Sequence, residues 1–211
     1  MAFRYLRCDE VDARVSTINE KGLSLLLYKD ARCDQNILDE TVGSMNWQRH
    51  HSRENANCIV SLWDADKCQW VEKEDTGTES FTEKEKGLAS DSFKRACFNW
   101  GIGRELYTAP FIWIPAKDKD GGENYTASEK NGKQTTYDRF EVTFMSVENG
   151  KITALNIENT KKRKTVYVFG NIFPDQPTCC VCGKTVTADF AEKSKAANGG
   201  KVYCSKTCKE K

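Results

Sequence analysis

Two pairs of cysteines near the carboxyl end have the spacing of a metal site. The segment "CCVCGKTVTADFAEKSKAANGGKVYCSKTCKEK" contains five of the ten cysteines in the sequence. Four of them form one C-x2-C pair and one C-x3-C pair: Cys179, Cys182, Cys204 and Cys208. Each pair can place two sulfur atoms on the same ion from one tight turn. These four thiolates therefore predict a tetrahedral structural zinc site. Cys180 is either an unused neighbour or an alternative to Cys179 as ligand.

The same 33 residues supply too little apolar surface for a core of their own, so metal binding would contribute free energy of folding. We therefore predict a zinc finger with four cysteine ligands over residues 178–211. The stretch "FPDQPT", with Pro174 and Pro177, marks its boundary with a larger domain over residues 1–173. The end "YCSKTCKEK" resembles treble-clef zinc fingers.

Positive charge is concentrated after residue 160. Residues 161–211 contain 11 Lys and Arg against 4 Asp and Glu, whereas residues 1–160 contain 21 against 27. Lysines of the finger suit either phosphate contact or a protein partner: Lys184, Lys193, Lys195, Lys201, Lys206 and Lys209. The run Lys161, Lys162, Arg163 and Lys164 either contacts DNA or protects the edge of a sheet. Any nucleic-acid site in the larger domain must be a local basic patch.

Motifs of nucleotide-dependent enzymes are absent from the sequence. It has no phosphate-binding loop of the form G-x-x-x-x-G-K-S/T, and "GIGREL" follows a predicted helix rather than a strand. The only histidines, His50 and His51, are neighbours on a predicted strand and point to opposite faces. We therefore predict a protein that is not an enzyme and does not use ATP.

A metal-dependent nuclease is the main enzymatic alternative. The stretch "EDTGTESFTEKEK" offers three carboxylates and a lysine that could serve it: Asp75, Glu79, Glu83 and Lys84. Carboxylates before a helix are common, and no pattern in the sequence makes these four converge. A zinc-containing nucleic-acid-binding regulator is the third hypothesis.

The predicted strands and helices indicate an α+β fold. Alternation around "DADK" and around "ENGK" indicates two β-hairpins, Leu23–Tyr28 is a short apolar run, and further strands are predicted at Trp47–His51 and after Lys164. A helix is predicted from about Asp34 to Val42, and "LYTAPFIWIPA" is predicted to be extended. The stretch 116–136 has no apolar period and is predicted to be a mobile surface loop.

A long amphipathic helix is predicted in "EKEKGLASDSFKRACFNWGIG". One side should pack on an antiparallel sheet: Ala89, Ser92, Phe93, Ala96 and Trp100. The other side is basic, with Lys84, Lys94, Arg95 and Phe98. This helix taken alone is more typical of a solvated outer face, in which Asp91 is predicted to pair with Arg95, than of a binding face.

The helix resembles the signature of the Rad-fifty-two single-strand annealing proteins, which include phage recombination proteins. That signature reads K-x-x-A-S/T-D-x-x-K-R-A-x-x-x-F/W-G. The matching residues are Lys86, Ala89, Ser90, Asp91, Lys94, Arg95, Ala96, Trp100 and Gly101. Upstream, "EDTGTES" and "YKDAR…MNW" are similar to the hairpin end and to the earlier strand and helix of the family, so that the resemblance covers residues 20–107.

The resemblance implies a β-β-β-α core, assembled into rings or filaments, that binds single-stranded DNA and anneals complementary strands without ATP in recombination and double-strand break repair. Lys94 and Arg95 match the paired residues that contact the DNA backbone, and Arg32 is a further match. The family has a basic residue where this chain has Phe98, which could stack on a base or fill a subunit interface. Single-stranded DNA, other copies of the chain and a single-strand binding protein are the implied partners.

No signal-peptide pattern opens the sequence, and no apolar run approaches the roughly 18 residues of a membrane span. We therefore predict a cytoplasmic protein without a membrane partner. The phage likeness implies the cytoplasm of a bacterium or of a phage-infected host.

Overall fold

A computed structural model describes residues 2–78, 84–172, 177, 179–182 and 186–210. The chain divides into two compact units, Met1–Gly170 and Asn171–Lys211. Strands of the first unit are β1 Asp12–Asn19, β2 Gly22–Tyr28, β3 Trp47–Ser52, β4 Asn57–Asp64, β5 Gln69–Thr76, β6 Ile112–Pro115, β7 Ser128–Lys130, β8 Lys133–Thr135, β9 Phe140–Glu148, β10 Lys151–Asn159 and β11 Lys164–Phe169. Its helices are α1 Ala31–Val42 and α2 Lys84–Trp100, and those of the second unit are α3 Ala188–Ala197 and α4 Lys206–Lys209.

The strands of the first unit form antiparallel sheets. The largest has six strands in the order β11-β10-β9-β1-β2-β6, the second has the order β3-β4-β5, and β7 pairs with β8. The predicted α+β class with antiparallel sheets is confirmed. None of the helices in the described ranges is long and apolar enough to cross a membrane.

Both predicted hairpins form. The β9–β10 turn is Asn149–Gly150, and both residues have positive φ, at 51° and 77°. This backbone conformation suits asparagine and glycine and matches the twist of the strands that it joins. In the β4–β5 hairpin Trp63 lies opposite Trp70, and their ring centroids are 5.5 Å apart.

Helix α2 packs across β4 and β5. Its residues Phe93, Ala96 and Cys97 are fully buried, and the Trp100 indole nitrogen donates to the Val60 carbonyl at 3.0 Å. Gly77 lies against the helix so closely that a Cβ there would be 2.5 Å from the Ser92 backbone nitrogen. A residue without a side chain therefore sets the distance between the β5 end and α2.

Helix α1 begins earlier than the sequence predicted. It starts at Ala31 rather than about Asp34, because the Asp30 side chain accepts from the Arg32 backbone N–H and caps the first turn. It ends at Gly43, whose φ is 83°. The predicted extended stretch "LYTAPFIWIPA" is also only partly strand, since Arg104–Thr108 is a 3₁₀ helix before β6.

The segment 116–136, predicted to be a mobile surface loop, contains regular secondary structure. Strands β7 and β8 form a hairpin within it, and Asn124 and Tyr125 before them are buried. Asn159 donates to the Asn124 carbonyl at 3.0 Å and to the Asp138 carboxylate at 2.9 Å. Polar contacts of single residues hold this segment, and such contacts leave no hydrophobic period in the sequence.

Candidate functional site

Lys94 and Arg95 lie on the outer side of α2, and both side chains are partly exposed. Their side chains are 29% and 45% exposed. The Lys94 ammonium is 3.9 Å from the Asp91 carboxylate, beyond hydrogen-bond distance. The Arg95 Nε is 3.3 Å from the carboxylate of Asp75. Neither cation is locked into a short ion pair, so both can contact an external anion.

The predicted ion pair between Asp91 and Arg95 does not form. The Asp91 carboxylate instead accepts from the backbone N–H and the hydroxyl of Thr78, at 2.9 and 3.1 Å. Arg95 turns to Asp75 on β5, whose carboxylate also accepts from Asn99 at 3.2 Å. Spacing along a helix could not reveal this arrangement, because both new partners come from the end of β5 and the residues that follow it.

Both cations line a groove between α2, β2 and the segment that includes the 3₁₀ helix. Its volume is about 850 Å³, and it also contains Arg14 from β1. Four aromatic residues line it as well: Tyr28, Phe98, Tyr107 and Phe111. We call this the cationic–aromatic groove. Except for Phe98, sequence reasoning missed these aromatic residues, since Tyr107 and Phe111 fall in a stretch that was predicted to be an ordinary apolar strand.

Phe98 is covered by its own chain. Its ring centroid is 4.7 Å from that of Tyr107, and the Arg104 guanidinium lies over the ring at 5.5 Å. Arg104 also donates to the carbonyls of Phe98 and Asn99, each at 2.8 Å. The end of α2 therefore carries a fixed cation, although residue 98 itself is aromatic.

Arg32 occupies a different place from Lys94 and Arg95. It lies in the first turn of α1, its side chain is 83% exposed, and its guanidinium donates to Asp30 at 2.6 Å. This contact lowers the pKa of the Asp30 carboxyl. Arg32 is not one of the described residues that line the cationic–aromatic groove. The side chain of Lys84, the remaining predicted DNA-binding residue, lies outside the described part of the chain.

Of the predicted nuclease residues only Asp75 can be placed. It contacts Arg95 and Asn99, as described above, and these contacts use its carboxylate oxygens. Glu79, Glu83 and the side chain of Lys84 lie outside the described residues. The structure therefore brings no group of carboxylates together around Asp75 within the described ranges.

The basic run before β11 is largely occupied by ion pairs. Lys161 lies 3.2 Å from the Asp138 carboxylate and Lys162 lies 3.0 Å from that of Glu123. Lys164 bonds to Asp118 and thereby lowers the pKa of that carboxyl. These ion pairs connect the segment around 118–138 to the residues at the start of β11, and they give the lysines of the basic run a structural role.

A buried ion pair adjoins the groove. The Lys29 ammonium bonds to the carboxylate of Asp34, and both side chains are almost completely buried. Burial raises the pKa of the Asp34 carboxyl to about 6, although Lys29 opposes the shift. Gly103 leaves room for this lysine, since a Cβ there would be 2.4 Å from the Lys29 Cε. The sequence offered no signal for this pair.

The four cysteines of the predicted finger converge in the second unit. The sulfur atoms of Cys179, Cys182, Cys204 and Cys208 all lie within 4.8 Å of one another, and they form the one potential metal-binding group within the described ranges. The Ser205 hydroxyl accepts from the Cys208 backbone N–H at 3.3 Å and starts α4, so the second pair straddles a helix start. Cys180 is exposed and lies outside the group.

Hydrogen bonds shift the pKa values of two of these cysteines in opposite directions. Backbone N–H groups of Cys182, Cys204 and Val181 lower the pKa of Cys179 to about 6. Contacts with Cys182 and Cys208 raise the pKa of Cys204 to about 12. The sulfur atoms are 3.4 Å apart for Cys182 and Cys204, and 3.6 Å apart for Cys204 and Cys208. A cation bound among these sulfur atoms would displace their thiol protons.

No family model matches the chain, and neither a search of curated proteins nor a search of solved structures finds a match.

Proposed function

We propose that this protein binds single-stranded DNA in the cationic–aromatic groove and anneals complementary strands without ATP, in recombination and double-strand break repair. The observation that supports it most is that Lys94 and Arg95, the pair singled out by the helix signature, line one groove together with Arg14. Three partly available cations in a groove can neutralise successive phosphates of one strand. Annealing needs no bond chemistry, so the proposed protein is not an enzyme.

The order of the elements before α2 is consistent with the resemblance. Strands β3, β4 and β5 form an antiparallel sheet in chain order, and α2 follows and packs on it. Trp47 at the start of β3 stacks on the buried Phe93 of α2, with centroids 6.2 Å apart. We propose that copies of this unit assemble into a ring or filament, because the cations of one chain are too few to hold a long strand.

For the second unit we propose a structural zinc ion held by the four cysteines. Zn–S bonds of about 2.3 Å in a tetrahedron place the sulfur atoms about 3.8 Å apart. The separations of 3.4 and 3.6 Å within the cluster come close to this value. Thiolates favour zinc over hard cations such as magnesium. The finger either adds phosphate contacts through its lysines or binds a protein such as a single-strand binding protein.

Strand annealing can be tested directly. Two complementary oligonucleotides carrying a donor and an acceptor fluorophore are mixed with the full-length protein, without ATP and with EDTA. Rapid energy transfer relative to a protein-free reaction supports the proposal. Binding without faster pairing would instead support the regulator hypothesis, and cleavage of the strands after addition of magnesium would support the nuclease.

EDTA also threatens the proposed zinc site, so the metal content of the protein is measured after the incubation. A parallel reaction without chelator and without magnesium shows whether loss of the finger, rather than absence of the activity, explains a negative result.

A further inference from the structure

We infer that the exposed aromatic rings of the cationic–aromatic groove, above all Tyr107 and Phe111, stack on unpaired nucleobases of the strand whose phosphates contact Lys94 and Arg95. This inference rests on the proposed function and assigns the base-contacting part of the same site.

The side chains of Tyr107 and Phe111 leave most of their surface in solvent. Tyr107 and Phe111 are 75% and 78% exposed, and Leu26 and Tyr28 beside them on β2 are also exposed. All four line the same groove. An apolar patch of adjoining large side chains is uncommon on a protein surface and marks a binding site more often than scattered apolar residues do.

The backbone that carries Tyr107 is held in place. It lies in the 3₁₀ helix, where the Thr108 hydroxyl donates to the Glu105 carbonyl at 2.7 Å and accepts from the Ile152 backbone N–H at 2.8 Å. The Glu105 side chain is buried and accepts from the Leu6 N–H at 2.6 Å. A ring presented on such a support loses little conformational freedom when a ligand binds.

Phe111 is supported in a similar way. Its ring lies nearly parallel to that of Trp113, at 15° and with centroids 6.4 Å apart, and its carbonyl accepts from the Tyr167 hydroxyl at 3.3 Å. One face of the Tyr107 ring is partly covered by Phe98, as described above. Each ring is thus backed by a second aromatic side chain of the same chain and still exposes most of its surface.

The charges beside these rings favour a nucleic acid as the occupant. Arg14, Lys94 and Arg95 share the groove, and the Arg14 guanidinium lies 5.9 Å over the Tyr28 ring. Asp91 is the one acidic residue among the described residues of the groove lining, and its carboxylate accepts hydrogen bonds from the backbone N–H and the hydroxyl of Thr78. Cations alternating with aromatic rings are typical of single-strand binding grooves. The centre of a protein–protein interface is instead depleted in lysine, whereas arginine and aromatic residues are common at both kinds of interface.

The test separates contacts with bases from contacts with phosphates. The full-length wild-type protein and the variants Tyr107→Ala and Phe111→Ala are titrated with a labelled oligothymidylate and with an abasic oligonucleotide of the same length. Each alanine variant should lose about 5- to 150-fold in affinity for oligothymidylate, the range for loss of one stacked base. Its affinity for the abasic strand and its salt dependence should stay at the wild-type values. Tyr107→Phe and Phe111→Trp keep an aromatic ring and should retain tight binding.

Equal losses on both oligonucleotides, or no loss on either, would overturn the stacking inference. So would a change in oligomeric mass in the alanine variants, measured by sedimentation, without loss of base-dependent affinity, because the rings would then contact a second copy of the chain. A wild-type protein that binds neither oligonucleotide overturns the proposed function itself. Because both rings are exposed, the alanine variants should keep the wild-type melting temperature.

Discussion

Loss of the two groove cations should change how binding depends on salt. In the variant Lys94→Ala/Arg95→Ala two positive side chains are removed from the outer side of α2. Their contacts with Asp91 and Asp75, at 3.9 and 3.3 Å, are partly exposed ion pairs and contribute at most about 1 kcal/mol each. Both side chains can therefore exchange a carboxylate for a phosphate, and the variant should fold normally.

The magnitude follows from counterion release. For single strands, each phosphate contact adds about 0.7 to the slope of log affinity against log salt, so that two lost contacts should reduce the slope by about 1.4. Between about 50 and 200 mM salt, the wild-type protein should then lose about sevenfold more affinity than the double variant. Fluorescence anisotropy with a labelled oligothymidylate over this range measures both slopes.

A matched control removes the same charge elsewhere. Lys130 and Lys133 flank the turn of the β7–β8 hairpin, and both are exposed. The variant Lys130→Ala/Lys133→Ala should keep the wild-type slope. If both double variants show the same slope, whether reduced or unchanged, the phosphates do not lie along α2 and the groove assignment is refuted.

Three further measurements test the rest of the structure. Cys204→Ser should abolish binding of the proposed zinc ion, and native mass spectrometry measures the zinc content per chain. The control variant Cys180→Ser should retain the ion. Zinc that stays bound to Cys204→Ser would contradict the proposed set of four ligands. Gly77→Ala should lower the free energy of unfolding by about 1–3 kcal/mol in urea, because its Cβ would meet the helix backbone at 2.5 Å, and an unchanged midpoint would show that α2 can shift. The pKa of Asp34 is raised from 3.8 to about 6 in the folded protein, so ionisation of this carboxyl opposes folding. As the pH rises from 4 to 6, the free energy of unfolding of the wild type, compared with that of Asp34→Asn, should therefore fall by up to about 3 kcal/mol. Both proteins keep Lys29, so parallel pH curves of unfolding would contradict the raised pKa.

The hairpins and the main helix were accessible to sequence reasoning because their signals are local. Alternating apolar residues and the Asn149–Gly150 turn predict the β9–β10 hairpin wherever it lies in the fold. The helical period likewise identifies the buried side of α2, since Phe93 and Ala96 are fully buried. The contacts that hold the segment 116–136 were not predicted, because pairs such as Lys162 with Glu123 join residues that are distant in sequence.

In the cysteine cluster and in the groove as well, the spacing of residues determines some features and tertiary packing determines the others. The spacing of the cysteines within each pair places two sulfur atoms in one turn, and this part of the cluster depends on sequence alone. The meeting of the two pairs depends on how the second unit folds. In the groove, the sequence places Lys94 beside Arg95 on one side of a helix. It contains nothing that joins them to Arg14, Tyr107 and Phe111, which only the packing of α2 beside β2 and the 3₁₀ helix brings together.

Local signals therefore predict the antiparallel α+β class, the basic pair on α2 and the spacing of the four cysteines, because periodicity and spacing act within a few residues. The pairing of Arg95 with Asp75, the buried ion pair of Lys29 and Asp34, and the aromatic rings beside the cations come from tertiary packing alone. These features depend on which distant side chains come within contact distance once the strands and helices pack.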